Sequence, residues 1–233
     1  MNETVPLLTG KDNDPANPDT AESRGRVYRL LSRLFLKEVD PGLLAAMKGE
    51  EIAEAFEELD PDMRGILNEP DPAKLLNDLA EEYAALFIVP GGISLYESTR
   101  IHGMLNQKPS WEVEEFYRRC GLVVRQECSI LPDHLGMEFD FMGYLAGKEA
   151  AAMRSADEEH AVLWRGMQEN FFCSHIDPWA FALLRDLRKL AFHPFYKAVG
   201  SLAIQFLETE KEYFGIPRGG EENRFPQLEV NRV

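Results

Sequence analysis

Apolar residues recur at three- and four-residue steps along most of the chain, the period of an amphipathic helix rather than of a strand. Val27, Leu30, Leu31, Leu34 and Phe35 form the first such stripe. Its predicted start lies near Thr20, with Asp19 and Glu22 as a capping-box-like pair. Pro41 restarts the chain into two short helical pieces, PGLLAAMKG and EIAEAFEELD. Asp71-Pro72 opens a longer helix whose stripe is Leu75, Leu76, Leu79, Tyr83, Leu86 and Phe87, and Pro90-Gly91-Gly92 breaks it. Ser110 is placed to cap WEVEEFYRRC, which stops at Gly121. Leu122-Val123-Val124 is strand-like but too short and isolated to build a sheet. From Asp133 the helical period runs to Gly215, with breaks near Ser155, at Ile176-Asp177-Pro178 and at His193-Pro194.

The pattern predicts an all-α, single-domain bundle of roughly eight to ten helices. That domain spans residues 20–215. Residues 1–19, rich in Asn, Asp and Pro, read as a disordered N-terminal tail, and polar residues 216–233 as a flexible C-terminal one.

Charge narrows the function. Among 233 residues, 25 Lys and Arg against 40 Asp and Glu leave a formal net charge of −15. A nucleic acid partner needs a basic footprint, so that class is excluded, whereas basic polypeptide segments are attracted. No run approaches the ~18 apolar residues of a membrane span, and the first residues lack the basic start and apolar stretch of a secretory signal. Three cysteines without CxxC spacing argue against a disulfide framework or zinc site. The expectation is a reduced, cytoplasmic protein.

Catalytic and cofactor motifs are missing. Neither Gly10-Lys11-Asp12 nor Gly147-Lys148-Glu149 completes a P-loop, and Asp157-x-x-His160 is half of one helical di-iron pair. HExxH and GxSxG do not occur. No catalytic residue, metal or cofactor is assigned.

Two segments carry candidate binding residues. In the first, Tyr83, Leu86 and Phe87 share a helix face at the end of their helix, followed by Pro90 and by Ser94 and Tyr96 in the loop. The spacing by itself favours core packing; the functional alternative is an aromatic platform, a role tyrosine suits because its ring is apolar and its hydroxyl polar. In the second, Pro132 precedes Asp133, a natural N-cap, and His134, Glu138 and Phe141 follow on one face. A capping aspartate with a hydrogen-bonded histidine accounts for this segment. So does a helical metalloprotein or enzyme centred on His134 and Glu138, for which a third ligand or a nucleophile is lacking. Two further segments, Phe171-Phe172 through His175 to Trp179 and His193-Pro194-Phe195-Tyr196, read as core corners.

The order of these segments is distinctive: YxxLFxxP, a loop with Ser and Tyr, PDHLxxE, FFxxHI with a Trp, then HPFY. It resembles the TorD/DmsD/NarJ family of redox-enzyme maturation chaperones, most closely the TorD/DmsD branch, over about residues 24–215. The resemblance implies an all-helical cytoplasmic chaperone without catalysis. Its partners would be the twin-arginine signal peptide and the apoprotein of a molybdopterin-containing oxidoreductase, held until cofactor insertion so that export is delayed. Relatives occur as monomers or helix-swapped dimers. Tyr83, Leu86 and Phe87 match the family's aromatic–Leu–Phe patch, and Asp133 and His134 its Asp-His pair, with Pro132 before it. Ser94 and Tyr96 fall in the corresponding loop, and with Pro90, Glu138 and Phe141 complete the implied peptide-binding set. Gly91-Gly92 departs from the Pro/Trp-rich loop of some members. On this reading Asp133 meets a basic leader residue, with His134 adding a pH-sensitive contact.

Overall fold

Amide or acid side chains followed by proline start three of the helices. The computed structural model describes residues 14–125 and 128–217. The first helix, α1, runs Pro18–Leu36, and Asn17 caps it by accepting from Asp19 N–H. Asp40 caps α2 (Pro41–Met47) and Asp71 caps α5 (Pro72–Tyr83), each before a proline whose missing N–H costs nothing there. Between them lie α3 (Glu50–Leu59) and α4 (Met63–Leu67). Then come α6 (Glu97–His102), α7 (Lys108–Arg119), α8 (Leu135–Arg154), α9 (Glu158–Phe171), α10 (Ala180–Leu190) and α11 (Pro194–Phe214). Gly121 and Gly215, at φ 73° and 70°, end α7 and α11 where predicted. The fold is all-α, and among the described residues no helix is long and apolar enough to cross a membrane.

Several predicted boundaries move. The predicted tail overlaps α1, which begins at Pro18, and Asp19 and Glu22 form no capping box but both pair with Arg154 at the end of α8. Ser110 is buried inside α7, whose N-cap is Gln107. Leu122-Val123-Val124 makes no strand. Residues 1–13 and 218–233 of the predicted tails lie outside the described residues.

The core is built on α1 lying along α8. Two glycines make that approach possible. A Cβ at Gly136 would fall 2.7 Å from Leu36 Cγ, and one at Gly143 would sit 3.2 Å from the Gly25 carbonyl. Against this seam α11 lays Phe206, whose ring meets Tyr28 edge-on at 4.6 Å, while Tyr28, Phe35 and Phe139 are fully buried.

One polar cluster lies inside this apolar frame. Arg24 of α1, 4% exposed, donates to Glu210 of α11 through Nε and Nη2 at 2.6 and 2.7 Å, the bidentate geometry of a guanidinium on a carboxylate. Its Nη1 reaches Glu149 of α8 at 3.2 Å, and Nη2 also reaches Gln168 Oε1 of α9 at 2.9 Å. The Tyr28 hydroxyl also donates to Glu210 Oε2 and the Gln168 amide to Glu149 Oε2, while the Tyr213 hydroxyl serves the remaining oxygen, Glu149 Oε1. Four helices thus close on one guanidinium. Replacing Arg24 by alanine leaves two carboxylates buried without their cation, and should lower the unfolding free energy by about 3–5 kcal/mol in urea titrations.

Candidate functional site

The α5 helix does not carry its α-helical period through Phe87 as its stripe predicts. After Tyr83 it widens into a π turn, Ala84–Ile88, closed by Val89 N–H donating to the Ala84 carbonyl at 3.0 Å. Tyr83 and Phe87 remain paired, ring centroids 5.1 Å apart, but Leu86 leaves their face and turns towards Gly92 and Leu190. The chain then folds back on itself at Gly91-Gly92, where Ile93 N–H donates to the Leu86 carbonyl at 2.6 Å. A Cβ at position 92 would lie 2.5 Å from that same oxygen, so the turn requires glycine.

Beyond this turn the backbone runs extended into a single antiparallel bridge, Tyr96 opposite His134. Leu135 N–H donates to Leu95 at 2.8 Å and Glu97 N–H to Asp133 at 2.9 Å. This bridge joins the two segments singled out in the sequence. Together they enclose a groove of about 400 Å³ lined by Tyr83, Phe87, Ile88, Val89, Ser94, Tyr96, Leu105, Ile130 and His134, among others. Among the described residues no carboxylate, ammonium or guanidinium lines it.

Of the predicted residues, Tyr83, Phe87, Ser94, Tyr96 and His134 therefore meet in one place. Tyr83 is less exposed than its platform role predicts, since its hydroxyl donates to the Phe35 carbonyl at 3.0 Å; burial pushes its pKa up to about 12. Pro90 is exposed in the neighbouring turn and does not line the groove, and Pro132 uses its carbonyl to accept from Tyr117. Phe141 packs in the core between Tyr117 and Phe171. Sequence reasoning passed over Ile88, Val89, Leu105 and Ile130. The adjacent Ile88-Val89 pair was the available signal: two large apolar residues at a helix end, before a proline, have no helical stripe to bury them.

The predicted caps also exchange roles. Asp133 does not cap α8: its Oδ2 accepts from Ser98 N–H at 2.9 Å and holds the start of α6, and the side chain is 0% exposed. His134 caps α8, its Nδ1 accepting from Gly136 N–H at 3.0 Å. That bond assigns the ring proton to Nε2. Burial lowers the pKa of His134 to about 4, the nearby Asp133 charge opposing, so the ring is neutral above pH 5 and is not a pH-sensitive contact there.

Glu138 is completely buried behind the bridge, and neither of its oxygens has a hydrogen-bond partner among the described residues. Burial first, then the Glu97 and Asp133 charges, raises its pKa well above the carboxylate range. Beside it Glu97 meets His175 Nδ1 at 2.9 Å. His134 and Glu138 thus answer to different neighbours, one in the groove and one behind it. Among the described residues no group of three or more His, Cys, Asp or Glu is arranged to hold a metal.

Residues 48–185, more than half of the chain, match the profile of the family described as nitrate reductase delta subunit. The chain belongs to this family, that of NarJ and TorD. It is 25% identical over 203 residues to the chaperone protein TorD of Vibrio cholerae serotype O1, covering 82% of this chain and 91% of that one. To the chaperone protein TorD of Shewanella oneidensis it is 26% identical over 215 residues, covering 84% and 93%. A solved structure from Archaeoglobus fulgidus, assigned to redox enzyme maturation, aligns at a TM-score of 0.40 with 22% identity over 63% of this chain and 91% of that one. Within the NarJ/TorD chain described here, the π turn, the glycine fold-back and the bridge are the local devices that shape the groove.

Glu138 gives a direct test of the buried cluster. Its folded-state pKa lies above its unfolded value, so the folded state binds the extra proton and stability falls as pH rises from the unfolded value towards the folded one. Glu138→Gln keeps the size and a donor but removes this titration. Relative to wild type it should gain about 1.4 kcal/mol per pH unit within that window, read from denaturant midpoints between pH 5 and 8.

Proposed function

We propose that this member of the NarJ/TorD family is a cytoplasmic, non-enzymatic maturation chaperone. Its groove binds the twin-arginine signal peptide of a molybdopterin-containing oxidoreductase, and the apoenzyme is held until its cofactor is inserted and export can proceed. The observation that carries this reading is the groove: apolar, free of charged side chains among the described residues, and built from the two segments that resemble the family's leader-binding motifs.

The groove's chemistry suits the apolar stretch of a leader rather than its basic residues. Ile88, Val89 and Leu105 are 68%, 49% and 52% exposed and gain contacts only when something covers them. Burying three or four large apolar side chains contributes roughly 5–10 kcal/mol. Ordering the peptide returns roughly 2–5 kcal/mol, which leaves an affinity near micromolar. Micromolar binding permits release of a client. The His134 Nε2–H supplies a donor for a peptide carbonyl, and Tyr96, whose ring meets His134 edge-on at 5.0 Å, flanks it. Asp133 serves as a positioning residue through α6, because its carboxylate is sealed behind the bridge.

Titration of the full chain with a fluorescent twin-arginine leader peptide tests this reading. Ile88→Asp places a charge in the groove at an exposed position, so the melting temperature should stay within about 1 °C while affinity falls about tenfold or more. Binding that is indifferent to Ile88→Asp removes the groove from the function. Asp133→Asn keeps a capping oxygen and should change affinity less than about threefold. A fall of that variant to the level of Ile88→Asp would instead make Asp133 a direct reader of the leader. Because the His134 ring is neutral above pH 5, affinity should be flat from pH 5.5 to 8.

A further inference from the structure

The wall that closes the groove on one side opens a second compartment on the other. Gly92 and Ile93 line two more cavities, of about 450 and 190 Å³. The smaller is bounded by Leu86, Leu190 and Phe192, the larger by Ile101, Trp179 and Leu190. Phe192 is 89% exposed, and Leu190 and Ile101 are about half exposed. This exposure is held in place. Phe192 stands at the corner between α10 and α11, where Glu82 of α5 accepts from the N–H groups of Phe192 and His193 at 2.7 and 3.3 Å. A large apolar ring fixed outward by a backbone clamp marks an interaction surface.

Charge distinguishes the two compartments. Among the described residues the groove has no charged lining, whereas the second compartment is lined by Glu82, Asp186 and Arg100; the last two pair at 2.9 Å, which leaves Glu82 as the carboxylate without a cationic partner among the described residues. Apolar surface beside a carboxylate suits an arginine, whose methylene stem covers Leu190 while its guanidinium lies against the Phe192 ring near Glu82. The groove and the larger cavity share Gly92, Ile93, Ser94 and Thr99 as lining, and of these Gly92 puts no side chain between them.

We propose that the second compartment receives the basic N-terminal portion of the same polypeptide whose apolar segment fills the groove, the chain crossing at Gly92. This rests on the leader-binding reading of the groove. It gives the bound peptide a direction, its arginines towards the α10–α11 corner and its apolar run towards Leu105 and Ile130.

Two synthetic fluorescent peptides test it on the full chain. One carries an Arg-Arg pair followed by an apolar run of about 12 residues, roughly 40 Å when extended; the other is the run alone. Wild type should bind the longer peptide about tenfold more tightly than the shorter. The Leu190→Ser/Phe192→Ser double variant, changed only at exposed side chains, should keep its melting temperature, bind the run unchanged, and lose the tenfold advantage of the arginine pair. Asp186→Asn should lose part of that advantage. Equal wild-type affinities for the two peptides overturn the proposal while leaving the groove reading intact. So does an equal loss for both peptides in the double variant. A wild-type dimer in sedimentation that the double variant dissolves overturns it as well, since the face is then covered by a second copy. If neither peptide binds wild type, the groove reading itself fails and takes this one with it.

Discussion

A single buried guanidinium sets the architecture. Among the described residues Arg24 is the cation that pairs with both Glu149 and Glu210, so α1, α8 and α11 cannot separate without stranding charge in an apolar interior. Gln168 extends the constraint to α9 by accepting from Arg24 and donating to Glu149. Such a cluster does not add stability cheaply, because every member must be desolvated. Its effect is on register: the bidentate contact is satisfied at one relative position of α1 and α11, and the glycine seam between α1 and α8 admits one depth of approach.

With the bundle held in that register, the groove can be made from backbone that is not regular. Its walls are a π turn, a glycine fold-back and one antiparallel bridge, all at the ends of helices whose bodies lie in the core. Non-helical backbone leaves apolar side chains such as Ile88 and Val89 without a stripe to bury them. Buried carboxylates stand behind that wall, Asp133 gripping the start of α6 and Glu97 gripping His175. The acidic character of the segment is thus spent on positioning. Among the described residues the groove in front of that wall is lined by apolar side chains and by neutral polar ones such as Ser94, Tyr96 and His134.

Much of this was readable from spacing. The Asp71-Pro72 start, the stops at Gly121 and Gly215, and the break at His193-Pro194 rest on local backbone chemistry, and the structure keeps each one. The two misplaced caps have different causes: Ser110 lies inside α7, which starts earlier and has no side-chain cap at Gln107, whereas at α8 two adjacent residues are able to cap and the role falls to the one free of tertiary demands. Asp133 is claimed by Ser98, thirty-five residues away, and its neighbour His134 caps in its place. The separation of Leu86 from Tyr83 and Phe87 was likewise invisible, since a π turn differs from an α turn by one hydrogen-bond step that leaves no mark on residue spacing.

The amino-acid order alone determined the helical class, most helix ends and the two segments that meet at the groove, because periodicity, capping and glycine or proline punctuation act within a few residues. Which of those side chains face outward, and which serve as buried supports, was decided only by the tertiary structure. Exposure of Phe192 and burial of Asp133, His134 or Glu138 depend on partners tens of residues away along the chain. Only closure of the bundle brings those partners within hydrogen-bonding or packing distance.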